Sequence, residues 1–240
     1  MTTDTAIKRA ALDALDLAAL LCSRVCHDVI SPVGAINNGL EVLEDERDEQ
    51  MRGIALELIR KSARQASAKL QFARLAFGAA GSAGAQIDLR DAETVSRGFV
   101  DGDKIALEWA GDAGPLPKNQ VKLLLNLLLI AMSMIPRGGR IRVSVGTMPT
   151  TAFTLTAAGL NARVPQGLER TLVGEGPDHS VDAHSVQPYY ARQLAEAAGM
   201  TISIRQEPKA EATGAALQPG AASTARSDGD SIVISAAQRA

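Results

Sequence analysis

Aromatic residues are scarce: Phe, Trp and Tyr make up 3% of the 240 residues. Ala, Leu and Val must therefore fill the core, and such small side chains suit helix packing better than a β-sandwich. Cysteine is limited to Cys22 and Cys26, four residues apart. A zinc site needs about four ligands, so a pair without further candidates beside it reads as two buried, reduced thiols. Neither sign of charge is in excess. The net charge of −2 argues against the basic footprint of a nucleic-acid-binding protein. Long apolar runs are also missing. The longest, 121–136, is interrupted by Lys122, Asn126 and Ser133 and falls short of the roughly 20 residues that cross a bilayer. The first ten residues, MTTDTAIKRA, lack the basic start and apolar stretch of a signal peptide. These absences lead to the expectation of a cytoplasmic protein that binds neither nucleic acid nor membrane.

What is present is an ordinary globular balance, 46% hydrophobic and 22% charged. Residues 1–80 read as a helical hairpin. Leu15, Ala18, Cys22, Val25, Val29, Pro32, Ile36, Leu40 and Leu43 follow one another in steps of three and four, the spacing of a helical seam. Leu56, Ile59, Ala63, Ala66, Leu70, Ala73 and Phe77 repeat the pattern. An acidic, polar turn over 44–50 separates the two. Leu17, Leu20, Leu21, Ile54 and Leu58 widen the apolar surface beyond one stripe. That breadth predicts pairing of two hairpins into a dimeric four-helix bundle.

Residues 78–85 (GAAGSAGA) form a small-residue linker. Their glycines follow a helix and precede a strand, the wrong order for a phosphate-binding loop. Residues 81–240 then alternate. Strands are expected over 87–89, 104–109, 140–147, 152–157, 201–206 and 231–235. An apolar helix over 117–135 is ended by Pro136, Gly138 and Gly139, and a second helix over 185–198 is closed by Gly199. Residues 208–229, rich in Ala, Gly, Ser and Pro, read as a loop. The fold class is α+β: a helical hairpin followed by an α/β sandwich with helices layered on a sheet.

The chemistry concentrates at Arg24-Val25-Cys26-His27-Asp28-Val29-Ile30-Ser31-Pro32. With the seam running through Cys22, Val25 and Val29, His27 lies off the buried stripe. Its own face carries Arg24, Ser31, Gly34 and Asn38, all polar or small, so an incoming protein can reach the imidazole. A neutral imidazole is a nucleophile that can take up a phosphoryl group. Pro32 cannot bond the carbonyl of Asp28, so the helix should bend or loosen beside His27. Arg60, Lys61 and Arg64 add positive charge on the second helix. They suit an acidic partner, although a merely solvated face explains them too.

The His-Asp pair with a proline five residues after the histidine resembles the H-box of two-component sensor kinases, with Asp28 where glutamate is usual. The resemblance implies that His27 is a phosphoacceptor and that Asp28 orients the ring or manages its proton. The region 81–240 resembles the ATP-binding domain of the same kinases, with departures. Asn126 and Ala131 match one conserved box, but Ile130 stands where an asparagine holds Mg²⁺, and an aliphatic side chain offers a hard cation no oxygen. Residues 157–161 (AAGLN) lack the acid that reads adenine, and 184–190 (HSVQPYY) lack the glycines that wrap phosphate. A phosphorylatable hairpin with a degenerate kinase domain resembles the bacterial histidine phosphotransferases of the ChpT type. That family implies a homodimer without a cofactor of its own. It also implies phosphate donation by the receiver domain of a hybrid, CckA-like kinase and acceptance by CtrA-like and CpdR-like response regulators, with Mg²⁺ on the receiver. Arg24, Ser31, Gly34, Asn38, Arg60 and Arg64 are then candidate partner contacts. A pseudokinase scaffold and a response-regulator phosphatase remain alternatives. His179 and His184 read as loop residues.

Overall fold

The computed structural model describes residues 12–78, 85–102, 104–111, 114–147, 150–173, 181–182, 185–207 and 231–238. His179, His184, most of the 78–85 linker and the 208–229 loop lie outside the described residues.

Two long helices open the chain, α1 (Ala14–Asp45) and α2 (Glu49–Ala76). Asp13 caps the first through the amide of Leu15, and Asp48 caps the second through the amides of Gln50 and Met51. The turn between them is tied from both sides. The Arg52 guanidinium donates to the carbonyls of Leu43 and Glu46 at the end of α1. The Glu46 carboxylate accepts from the amides of Arg47 and Asp48. Those two amides, Asp48 first, hold the Glu46 carboxyl below the ordinary carboxylate range.

The hairpin seam follows the expected one in part: Pro32 and Ala66 are buried, and Val25, Val29, Ile36, Leu43 and Ile59 are half-buried. Its buried residues are small: Pro32 and Gly39 on α1, with Ala55, Ser62 and Ala66 among those of α2. A Cβ on Gly39 would stand 2.7 Å from Ile59 Cγ1, so glycine sets how closely the helices approach. Leu40, Leu56 and Leu70 are exposed, and so are Cys22 and Cys26, which were expected to be buried. The physical reason is that close backbone approach at Gly39, where Ile59 packs, leaves room for only part of the apolar surface, and Leu40, Leu56 and Leu70 stay outside. Pro32 does not interrupt α1, which runs as one helix to Asp45. By length and composition α1 is also long and apolar enough to cross a membrane. Arg24, His27 and Asp28 divide its apolar residues, so no uninterrupted apolar run marks it in the sequence.

After the hairpin come β1 (Gln86–Asp88), α3 (Leu89–Val100), β2 (Ile105–Gly111), β3 (Pro115–Pro117), α4 (Lys118–Met134), β4 (Gly139–Gly146), β5 (Ala152–Ala158), α5 (Leu168–Val173), α6 (Val186–Ala197), β6 (Met200–Glu207) and β7 (Ser231–Gln238). Five strands form one sheet in the order β2-β4-β5-β7-β6. The β2/β4 pair is parallel and the rest are antiparallel. β1 and β3 form a separate antiparallel ribbon. The α+β reading holds, and β4 pairs with β5 as expected. The short elements α3, β3 and α5 appear where only irregular chain was expected.

α4 is the centre of the core. Every residue from 120 to 131 is buried, and Leu123, Leu124, Leu125 and Leu127 are wholly so. The hairpin is fastened to this domain near its ends. Phe72 stacks on Phe99 at 4.3 Å, and Phe77 lies 5.9 Å from Tyr190. The Leu12 amide donates to the Tyr189 hydroxyl.

Candidate functional site

His27 sits midway along α1 with 83% of its side chain exposed. Its Nδ1 is 3.5 Å from Asp28 Oδ1, at the outer limit of a hydrogen bond. The other carboxylate oxygen, Oδ2, accepts from Arg24 Nε at 3.2 Å. Residues 24 and 28 are neighbours because they are one helical turn apart. The Asp28 side chain is 20% exposed against 83% for His27, so a sheltered carboxylate stands beside an open imidazole. Because a carboxylate can only accept, the neutral ring that bonds it carries its proton on Nδ1 and its lone pair on Nε2.

The predicted face is open. Ser31 and Asn38 are exposed, Gly34 is half-buried, and nothing lies within 4 Å of where a Cβ on Gly34 would be. The Arg24 side chain is half-buried and engaged by Asp28. Arg60 and Arg64 are exposed on α2, and the partner recorded for Arg60 is Glu57 at 2.7 Å rather than the His27 group. An exposed pair of this kind contributes little to stability, and it leaves Arg60 partly neutralised.

The segments resembling kinase boxes are filled differently. Ile130 is 2% exposed on α4. Ala157 is wholly buried on β5, opposite Ile141 and Ile232. Asn126, wholly buried, donates through Nδ2 to the carbonyls of Lys122 (2.8 Å) and Ala76 (3.2 Å), and its Oδ1 accepts from Gln187 Nε2. The one polar residue retained from that box thus ties the end of α2 to α4 and α6. Sequence reasoning missed this tie, because a match to a box does not tell which groups the side chain meets.

Between α1, α4, α5 and the start of α6 lies a cavity of about 450 Å³. Its lining includes Arg24, Leu129, Ile130, Thr171 and Gln187. It adjoins two of the degenerate boxes and, through Arg24, the His27 group.

The family described as "Histidine phosphotransferase C-terminal domain" matches residues 89–210. The chain is 55% identical over 194 residues to the protein phosphotransferase ChpT of Brucella abortus, covering 80% of this chain and 91% of that one. It is also similar to a solved structure of a bacterial phosphotransferase, with a TM-score of 0.77 and 48% identity over 95% of this chain and 98% of the other. The match spans hairpin and sheet domain together, and it agrees with an exposed histidine beside a degenerate kinase-like core: the chain is a protein phosphotransferase and belongs to the histidine phosphotransferase family.

Proposed function

We propose that His27 is the phosphoacceptor, and that the protein passes phosphate between receiver-domain aspartates without using ATP. The observation that carries this is the pairing of an exposed imidazole with a sheltered, Arg24-held carboxylate on Nδ1. In the forward step, Nε2 attacks the phosphorus of a receiver's aspartyl phosphate. The N–P bond forms as the P–O bond to the aspartyl carboxylate breaks, and the carboxylate leaves. The phosphorylated ring then carries a positive charge, which Asp28 stabilises through Nδ1–H. The second receiver reverses the step with its own aspartate. Positioning and charge neutralisation account for most of phosphoryl transfer. Mg²⁺ belongs to the receiver, and this chain supplies the nucleophile and a docking surface.

The donor is the receiver of a hybrid, CckA-like kinase, and the acceptors are CtrA-like and CpdR-like response regulators, in the cytoplasm. Ser31, Gly34, Asn38, Arg60 and Arg64 lie on the surface such a domain would meet. The active unit is a homodimer. Leu40, Ile54, Leu56, Leu58 and Leu70 are exposed on the single hairpin, and a second hairpin would cover a wide apolar face of this kind. The test is transfer from a phosphorylated receiver to wild type and to His27→Ala, with an ATP-only arm. Acid-labile, base-stable label on the wild type alone, absent with ATP alone, is expected. Label from ATP alone would identify a kinase, label on His27→Ala would place the phosphate on another residue, and no label from either source would leave the scaffold and phosphatase readings.

A further inference from the structure

Two residues beside His27 go against what a helix surface favours. Ile30, three residues on, is 69% exposed. Its branched side chain lowers helix propensity, and its apolar surface gains nothing from water. Gly34, four residues beyond Ile30, costs a helix more than alanine would. The other glycine of α1 has a packing reason, because a Cβ on Gly39 would stand 2.7 Å from Ile59 Cγ1. Nothing lies within 4 Å of where a Cβ on Gly34 would be. A single exposed isoleucine is ordinary on a protein surface. Here an isoleucine and a glycine without internal purpose stand one turn apart next to His27, a knob beside a hollow. Such local departures gather at functional sites. At about 3.6 residues per turn, both lie on the side of α1 away from its buried residues, Pro32 and Gly39.

Phosphate transfer to the ring requires the reacting atoms to come within about 3–3.5 Å of each other. Residues three and four apart on a helix have Cβ atoms about 5–6 Å apart. The protein that carries the phosphate therefore meets Ile30 and Ser31 as it reaches the imidazole. We propose that Ile30 and Gly34 form the anchor contact for the receiver. Ile30 enters an apolar recess beside the receiver's aspartyl phosphate, and the bare backbone at Gly34 lets the receiver's chain close onto α1. The partner this fits is a receiver whose surface beside the aspartate is apolar, with charged contacts at the rim. Ile30 binds the partner and takes no part in the chemistry. The proposal rests on His27 being the phosphoacceptor.

Two phosphate donors separate docking from chemistry: a phosphorylated receiver, and phosphoramidate, which is too small to need a docking surface. Ile30→Ser should lower kcat/KM for the receiver about thirtyfold, the loss of one interface hot spot, mainly through KM. Ile30→Leu should keep most of the wild-type value. Gly34→Leu should fall at least as far as Ile30→Ser. Gly34→Ala should raise Tm by about 2–4 °C, because alanine is the better helix former. Phosphoramidate should still label Ile30→Ser and Gly34→Leu. The isoleucine is exposed, so Ile30→Ser stands as a test even if Gly34→Leu fails to fold. Undiminished receiver transfer in both variants would overturn the contact. Equal loss with both donors would overturn it too, by placing the effect on the ring or the fold. So would a monomeric Ile30→Ser beside a dimeric wild type in sedimentation, which would put the residue against the second copy. Phosphoramidate label as strong on His27→Ala as on the wild type would instead overturn the phosphoacceptor reading, and the proposal with it, so the two failures are distinguishable.

Discussion

The hairpin and the sheet domain use apolar residues in opposite ways. α4 is buried on every side from 120 to 131 and packs against α6 and the sheet. The hairpin fully buries mostly small residues between its helices and leaves many of its large ones exposed. Among the described residues, all the exposed large hydrophobic ones but Leu160 lie on α1 or α2. The sheet domain is thus built to be stable as a single chain, whereas the hairpin is built to be covered by something else. His27, the proposed phosphoacceptor, sits in the half whose large apolar residues are exposed.

Four variants break or sharpen this contrast. Leu127→Ala removes a wholly buried side chain from α4 and should cost about 2–5 kcal/mol, read as a fall in the denaturant midpoint. Asn126→Ala leaves the Ala76 carbonyl and the Gln187 amide without their donor and acceptor. It should cost about 1–3 kcal/mol, and hydrogen exchange should quicken at the end of α2 more than in the sheet. Ile54→Glu with Leu58→Glu alters two exposed hairpin residues. Sedimentation should show the dimer giving way to monomer while the near-ultraviolet signal of the sheet domain persists. A monomeric wild type would contradict the covered-face account.

The smallest effect concerns Lys122. It is 7% exposed, and burial, followed by repulsion from Lys118, lowers its pKa. The folded state therefore binds this proton less readily than the unfolded chain does. The penalty is present while the group is charged and is relieved as pH rises through the lowered value toward the unfolded one. Lys122→Met should raise Tm by a few degrees at neutral pH, and the gain should shrink at alkaline pH. An unchanged melting profile would mean that the ammonium group reaches water through its flexible stem.

The sequence already carried the long periodic elements. α1, α2, α4 and α6 fall where apolar spacing puts them, because burial along one stripe or all round sets their composition. The elements that escaped did so for different reasons. α3 has helical spacing, with Leu89, Ala92, Ser96 and Phe99 buried, but Asp91, Glu93, Arg97 and Gly98 in its twelve residues make it polar overall, and Phe99 stacks on Phe72 of α2. β3 is Pro-Leu-Pro, an edge piece that strand propensity disfavours. The hairpin seam was read only in part, because periodicity marks large apolar residues such as Leu40 and Leu56, whereas close helix approach is set at Gly39, against Ile59 and the Ala55 carbonyl. At the site, His27 and Asp28 were legible as a local motif. The Arg24–Asp28 bond follows from helical spacing, but the ties of Asn126 to Ala76 and Gln187 cross 50 and 61 residues, and no local pattern encodes them.

The most direct test of the central claim is phosphate transfer from a phosphorylated receiver to the wild type and to a folded His27→Ala variant. The account predicts base-stable, acid-labile label on the wild type and none on the variant, whose melting profile should match the wild type because the side chain is 83% exposed. Equal label on both proteins would place the phosphate elsewhere and contradict it.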